Sequence, residues 1–184
     1  GTVSGTSISF GTEVVFATAI TYLYSPAAMV FDTSNNKIVI AYNDGGNTNY
    51  GTAVVGTVSG TTISFGTEVV FKASNLGALS PMAVAYDSSA SRVVITYKDT
   101  GNSSYGTLIA GLVSGTSISF ESPVVFEAAS TDDISSAYDS NSNKVVIAYK
   151  DVGNSNYGTS VVTTTGYTNL TAENYIGIAS NGYA

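Results

Sequence analysis

The sequence predicts an all-β protein, organised as an array of four-stranded antiparallel units like the blades of a β-propeller. Three observations lead to this prediction: a repeat of about 55 residues, several short strand patterns within each repeat, and turn residues between the strands. No window long enough for a helix places apolar residues at a helical period. With 184 residues, 43% of them hydrophobic, the chain can bury a core.

The repeat is visible in both halves of each unit. The string "GTVSGTSISFGTEVVF" at residue 1 returns as "GTVSGTTISFGTEVVF" at 56 and "GLVSGTSISFESPVVF" at 111. The second half recurs from Phe31, Tyr86 and Tyr138, and the third copy is three residues shorter. We therefore predict a repeat domain over residues 1–162, with units starting near residues 1, 56 and 111, followed by a C-terminal tail or linker over 163–184.

Each unit offers four strand candidates. In the second unit they are residues 82–87, 92–99, 105–115 and 117–126, separated by Ser, Asp, Asn and Gly. Neighbours joined by such short turns form antiparallel hairpins. We expect the four strands to make one sheet.

The two faces of the strands predict where each one lies. Residues 37–42 are apolar on both faces, so this strand should be covered on both sides. In residues 7–16, apolar side chains on one face oppose Ser7, Ser9 and Glu13 on the other. This pattern predicts a half-exposed strand at an outer edge.

The chain contains about three such units, and the strand predicted at 7–16 has the sequence needed to complete the last one. Propellers typically have four to eight blades. We therefore expect either a homo-oligomer, in which a second copy completes the ring, or a segment of a longer fibre chain.

Composition excludes several classes of function. Six basic and thirteen acidic residues give a net charge of -7 without a basic cluster, so nucleic acid is not an expected partner. No apolar stretch is long enough for membrane insertion. The absence of Cys and His excludes thiol nucleophiles, His-based triads and the usual zinc sites. We expect no enzyme activity and no cofactor, with calcium as the one alternative.

The strings "NDGGNTNYGT", "KDTGNSSYGT" and "KDVGNSNYGT" are the candidate ligand-binding loops, because each combines a carboxylate, an amide and an aromatic ring. Calcium or a shallow sugar site would suit these groups. The alternative is a turn, in which Asp accepts backbone N–H groups and Gly takes a positive φ. The candidate residues are Asp44, Asn47, Tyr50, Asp99, Asn102, Tyr105, Asp151, Asn154 and Tyr157.

The connections between units, residues 17–27, 72–82 and 127–133, differ most among the repeats. Such loops often carry binding functions, and Tyr22 and Tyr24 are therefore candidates for a contact surface, unless they pack within the assembly.

Acidic residues outside the repeated loops are predicted to be structural. Asp32, Asp87 and Asp139 precede Ser- and Asn-rich turns and should form them. Asp132 and Asp133 are adjacent, so they should point to opposite faces of a strand rather than act together on a glycoside.

Asp99, Gly101, Ser103 and Tyr105 resemble the Asp-box of sialidases and related propellers, a surface hairpin turn with the pattern Ser-x-Asp-x-Gly-x-Thr-Trp, although Tyr97 stands in place of its Ser. In that family the box is a folding element distant from the active site. Arg92 is the only arginine, so the several-arginine carboxylate clamp of sialidases cannot be formed.

Nearly the whole repeat, with "VSGTSISFG", "NKVVIAY" and "GNSNYGT", also resembles repeats in tail-fibre or capsid-fibre proteins of marine bacteriophages. The C-terminal stretch 167–184 resembles linking segments that follow such repeats. The resemblance implies an extracellular or virion location and a structural role in assembly or host-surface attachment. The alternative is a carbohydrate-binding propeller lectin that recognises a cell-surface glycan through one shallow site per blade.

Overall fold

A computed structural model describes residues 2–20, 27–77 and 80–165. In these residues all strand pairs are antiparallel, and the only helical turn is a short 3-10 turn at Gly45–Asn47, so the all-β prediction is confirmed. No helix in this part of the chain is long and apolar enough to span a membrane. The strands are β1 (Thr2–Ser4), β2 (Ser7–Ser9), β3 (Ala28–Asp32), β4 (Lys37–Asp44), β5 (Tyr50–Ser59), β6 (Thr62–Phe65), β7 (Val69–Asn75), β8 (Met82–Asp87), β9 (Arg92–Asp99), β10 (Tyr105–Ser114), β11 (Ser117–Phe120), β12 (Val124–Asp139), β13 (Lys144–Asp151) and β14 (Tyr157–Thr163).

The first sheet unit, which we call unit 1, contains β3 to β7 in the order β3-β4-β5, with both β6 and β7 paired to β5. Gly56 of β5 lies opposite Phe65 of β6, and Tyr50 lies opposite Asn75 of β7. The fourth strand is therefore present as two consecutive segments along one edge.

Unit 2 repeats this arrangement with β8, β9 and β10, and with β11 and the first part of β12 both paired to β10. Strands β8 and β9 have the predicted bounds. The predicted continuous strand 117–126 is wrong, because residues 121–123 interrupt it. Pro123 lies in this break and has no N–H for a ladder hydrogen bond.

Strand β12 continues directly into unit 3, which consists of the second part of β12 with β13 and β14. Val124 pairs with Leu108 of unit 2, whereas Asp139 pairs with Lys144 of unit 3. The prediction of a connecting loop at 127–133 is therefore wrong. The third repeat is three residues shorter, and the chain changes partner between Ser130, which pairs with β10, and Thr131, which pairs with β13, instead of leaving the sheet. A bulge around Asp133 (φ 50°) follows within unit 3.

The units pack face to face through alternating residues of their strands. Each unit has a tyrosine face (Tyr42, Tyr97 and Tyr149 in units 1, 2 and 3) and an opposite small-residue face. The small-residue face of each unit packs on the tyrosine face of the next. Between units 1 and 2 this core includes Val39, Ala41, Ala53 and Val55 against Val93, Ile95, Tyr97 and Ile109; between units 2 and 3 it includes Ala85, Val94 and Leu108 against Val145, Ile147 and Tyr149.

The N-terminal segment (residues 2–20) covers the part of the tyrosine face of unit 1 around Tyr42. Phe16 packs edge-on against Tyr42, with ring centroids 5.4 Å apart. Beyond β2, residues 10–19 form no strand, so the prediction of a strand at 7–16 holds only for residues 7–9. In the described chain, residues 10–19 do not pair with a strand equivalent to β5 or β10, the third strands of units 1 and 2. The segment lies on unit 1 rather than beside β14, and the predicted completion of the last unit is not observed.

A tight backbone contact fixes the spacing between successive repeats. A Cβ atom added at Gly11 would lie 1.8 Å from the carbonyl oxygen of Thr61, and one at Gly66 would lie 1.8 Å from that of Thr116. Only glycine allows this approach, because any other side chain would overlap the hairpin of the next repeat. The third equivalent position is Glu121, which instead pairs with Arg92 at 2.8 Å.

In the described part of the chain, no other element covers one face and one edge of unit 3. Within the described residues β14 pairs only with β13, whereas β5 and β10 each also carry a fourth strand. Ala148 and Val162, on the small-residue face of unit 3, are exposed, the latter to 59%. The equivalent Ala41 and Val55 of unit 1 are completely buried under unit 2.

Candidate functional site

The carboxylate of each repeated loop is held by the loop's own backbone. Asp44 accepts a hydrogen bond from the Gly46 N–H at 2.9 Å, and Asp99 accepts one from the Gly101 N–H at 3.1 Å. In the third loop the Asn154 N–H donates to Asp151 at 3.0 Å. These are the bonds that the turn interpretation requires.

The next residues form the tight turn into the third strand of each unit. In the second loop, the Tyr105 N–H donates to the Asn102 carbonyl at 3.0 Å, and Ser103 and Ser104 both have positive φ (54° and 62°). Two consecutive positive φ angles match the right-handed twist of the flanking strands. The other loops place Thr48 with Asn49, and Ser155 with Asn156, in the same conformation.

The predicted role of the loop glycines is therefore wrong: Gly46, Gly101 and Gly153 are not the residues with positive φ. Gly101 and Gly153 instead allow close packing against the end of the preceding fourth-strand segment. A Cβ at Gly153 would lie 2.4 Å from that of Ala129, and one at Gly101 would lie 3.0 Å from the Ser74 hydroxyl oxygen. The loop thus serves both as a turn and as a contact between segments.

The candidate ligand-binding residues are distributed unevenly between surface and interior. Asn47, Asn102 and Asn154 are exposed at the loop tips, and Tyr50 and Tyr105 are half-buried. Tyr157 is 62% exposed, because β14 has no neighbour on that side in the described chain. Tyr22 and Tyr24 lie outside the described residues.

The three carboxylates do not form equivalent sites. Asp99 is buried and makes an ion pair with Lys72 at 2.6 Å, so both of its oxygens have partners within the protein. Asp151 is buried and Asp44 is half-buried. In the residues that the structure describes, no group of three or more acidic side chains is positioned to hold a metal ion. Binding of calcium or a sugar at these loops stays a prediction.

The aspartates at the first hairpin of each unit form turns, as the sequence predicts. Asp32 and Asp87 each accept two backbone N–H bonds through one oxygen. Burial raises the pKa of Asp87, but hydrogen bonds from Thr165, Ser89 and the backbone outweigh it and leave the pKa below its usual value. The Ser142 hydroxyl and neighbouring N–H groups likewise lower the pKa of Asp139.

The adjacent pair Asp132 and Asp133 is split by the bulge. Asp132 makes an ion pair with Lys98 at 2.8 Å, which links units 2 and 3. Asp133 is exposed and lines a cleft. The two carboxylates therefore have separate environments and do not face each other across a binding site.

Two of the core tyrosines donate to carboxylates. The hydroxyl of Tyr42 donates to Glu68 at 2.5 Å, and that of Tyr149 donates to Glu127 at 2.9 Å. Burial, and then these bonds, raise the pKa of Tyr42 strongly and that of Tyr149 to about 12. Burial also raises the pKa of Tyr97, whose hydroxyl has no hydrogen-bond partner in the described part of the chain.

An open cleft of about 570 Å³ lies on the small-residue face of unit 3 and is not among the sites predicted from the sequence. Its lining includes Asp133, Ala148, Lys150, Asn156 and Gly158. The signal for it lies in the repeat: Gly51 and Gly106 are followed twenty residues later by Phe71 and Phe126, whereas no phenylalanine follows Gly158 at that distance.

The cleft exists because the phenylalanine that covers the other two glycines is missing. A Cβ added at Gly51 would lie 2.6 Å from the ring of Phe71, and one at Gly106 would lie 2.5 Å from that of Phe126. Among the residues that the structure describes, nothing lies within 4 Å of a Cβ at Gly158. The cleft is therefore an empty packing position of the repeat.

No family model, curated protein or solved structure matches the chain.

Proposed function

We propose that this chain is a non-enzymatic structural and adhesive module of a virion fibre or another extracellular appendage, in which the sheet units are β-propeller-type blades. The role is assembly or attachment to a host surface. The observation that carries the proposal is that the repeated sequence features serve packing between units. The loop aspartates hold turns, the loop glycines admit the preceding segment, and Gly11 and Gly66 receive the next hairpin.

The blade arrangement is supported by the way the units stack. Phe71 lies against Tyr97 at 5.4 Å between ring centroids, and Phe126 lies against Tyr149 at 5.2 Å. The segment that completes one unit thus also contacts the next. Successive sheets related by one repeated contact are the construction principle of propellers.

A surface that carries few charges suits a structural module that packs against copies of itself. Only 10% of the residues are charged, and the three ion pairs found in the described residues join elements of the repeat array to one another. The adhesive part of the proposal rests on the connections between units, where the repeats differ, and on Tyr22 and Tyr24.

A second candidate is a lectin that binds a cell-surface glycan at the repeated loops. The exposed ring of Tyr157 beside the exposed amide of Asn154 favours it, because sugars stack on aromatic rings and hydrogen-bond to amides. On this alternative the third loop is the strongest site, since Tyr50 and Tyr105 are half-buried.

A glycan array with three proteins separates these functions: the unaltered chain, the double variant Tyr22→Ala with Tyr24→Ala, and the double variant Asn154→Ala with Tyr157→Ala. We expect binding to be lost in the first variant and kept in the second. The opposite result would establish the lectin alternative. Hydrolysis of any bound glycoside at an enzymatic rate would show that the non-enzymatic proposal is wrong.

A further inference from the structure

We propose that the open edge of β14 binds residues 14–20 of a second copy of this chain, with Phe16 of that copy occupying the cleft at Gly158. The inference deepens the proposed assembly role and rests on it. It names the segment and the surface through which copies associate head to tail.

The first argument is that two parts of the chain lack the partner that their equivalents have. Residues 69–75 and 124–130 each pair with the third strand of their own unit. The equivalent residues 14–20 lie beside no third strand in the described chain, and β14 is a third strand with no fourth one. Among residues 14–20 only Ile20 forms a backbone bridge, to Asp44 of β4. In the described chain β14 pairs only with β13, whereas the equivalent strands β5 and β10 are paired along both edges.

The two existing pairings predict the register of the new one. In unit 1, Thr52 lies opposite Val70 and Ala53 opposite Val69; in unit 2, Thr107 lies opposite Val125 and Leu108 opposite Val124. If the equivalent residues of unit 3 and of a second copy pair in the same way, Thr159 should lie opposite Val15 of the second copy, and Ser160 opposite its Val14. At present Val15 is 77% exposed.

The space proposed for Phe16, which we call the socket, would lie between Gly158 of one copy and Tyr42 of the other. Phe71 and Phe126 occupy two equivalent spaces within the chain. Phe71 and Phe126 each lie between a glycine of their own unit and a tyrosine of the next. Phe16 already packs on Tyr42, and it lacks only the glycine side. Gly158 provides that side without a neighbour within 4 Å.

The broad faces next to this contact are complementary as well. On the tyrosine face of unit 1, Met29 and Phe31 are 65% and 47% exposed, whereas the equivalent Tyr86 of unit 2 is buried against unit 1. The small-residue face of unit 3 exposes Ala137 and Ala148, whose equivalents receive such side chains. The large side chains at one end of the array therefore fit the shallow face at the other.

The contact does not include the β1–β2 hairpin. In the other repeats the next hairpin rests on Gly11 or Gly66, but the equivalent residue in the third copy is Glu121. Its side chain would occupy the place of that hairpin. Head-to-tail contacts of this kind form rings if the rotation closes and filaments if it does not.

The first test is the molar mass of the chain in solution, measured by light scattering at about 100 μM, a concentration at which a contact with a Kd of about 1 μM is mostly formed. We expect at least twice the 18.8 kDa of one chain. Gly158→Leu fills the socket and should reduce the mass to that of one chain while leaving the circular dichroism spectrum of the fold unchanged, because a Cβ there has nothing within 4 Å in the described residues. A single-chain mass for the unaltered protein would overturn the proposal, whether residues 166–184 or the chain's own N-terminal segment covers β14.

The second test does not depend on that variant. The chain has no cysteine, so Val15→Cys and Thr159→Cys can be introduced into separate preparations, mixed and oxidised. Cα atoms of directly opposed residues in antiparallel strands lie within disulfide range. We expect a mixed dimer in high yield, and the same for Val14→Cys with Ser160→Cys. Val58→Cys, at a position 53% exposed, serves as the control partner.

Cross-linking no better than with the Val58 control, or an oligomer unaffected by Gly158→Leu, would refute this interface. Either outcome leaves the glycan-array result unchanged, so failure of the interface and failure of the adhesive function can be distinguished.

Discussion

Replacing Gly66 with alanine tests whether the spacing between repeats depends on the contact with the next hairpin. The added Cβ would lie 1.8 Å from the Thr116 carbonyl oxygen and 2.9 Å from its carbon, whereas Cβ contacts below 3.0 Å are essentially never seen. The hairpin that carries Thr116 must therefore move away by about 1 Å or more, as over-packed sites generally force backbone shifts.

This shift would disturb well-packed groups. Ile118, which follows the turn, is only 3% exposed, and the ring of Phe120 lies 5.7 Å from that of Phe71. Over-packing a core typically costs about 1–3 kcal/mol, and the backbone origin of this clash places the expected cost near the upper end. For a chain of this size, each kcal/mol lowers the melting temperature by roughly 2–4 °C.

The assay is urea unfolding followed by circular dichroism, with Glu121→Ala as the matched control at the equivalent position of the third repeat. That position already holds a side chain, so alanine should cost only the ion pair with Arg92, about 1 kcal/mol or less. A Gly66→Ala protein as stable as the unaltered chain, or a Glu121→Ala protein that is less stable than Gly66→Ala, would refute the reasoning.

Further predictions concern the buried hydroxyl and carboxyl groups. Tyr42→Phe should lower the free energy of unfolding by about 1–3 kcal/mol, because it removes a hydrogen bond to a carboxylate, whereas Tyr97→Phe should change it little, since that hydroxyl has no partner in the described chain. Stability should fall as the pH rises from about 10 to 12: unfolding exposes Tyr149, which then releases its proton near its ordinary pKa of about 10 rather than near 12. A pH titration of the melting temperature in which stability stays constant to pH 12 would contradict this. Stability should also fall as the pH drops below about 4, because the folded state holds the pKa of Asp87 below its unfolded value. Thr165→Ala removes a hydrogen bond to Asp87 at 2.5 Å and should reduce this acid sensitivity in the same titration.

Much of each unit could be predicted from the sequence because its causes are local. The alternation of apolar residues and the Asp, Ser and Asn turns predict the first and last residues of β8 and β9 correctly. The turn interpretation of the repeated loops follows from the same chemistry, although the residues that take positive φ are Ser103 and Ser104 rather than Gly101. The space at Gly101 is limited by Ser74 of the preceding segment, a contact between residues distant in sequence.

The cleft at Gly158 shows how a site can depend on what a neighbouring segment leaves empty. Gly51, Gly106 and Gly158 occupy the same position of the repeat, but in the described residues only the third has space around it. The difference comes from Phe71 and Phe126, which pack on the first two glycines after the units assemble. The sequence shows that no phenylalanine follows Gly158 by twenty residues, and the three-dimensional arrangement shows that a cleft results.

The string "FGTEVVF" separates what the sequence determined by itself from what the tertiary structure decided. It occurs at residues 10–16 and again at 65–71, so composition, alternation and turn chemistry are the same in both places. Those local features determined the all-β class, the repeat and the hairpins. Yet residues 69–71 begin β7, whereas residues 14–16 form no strand. A strand is stabilised by hydrogen bonds to a neighbour, and β5 provides that neighbour only for the second copy.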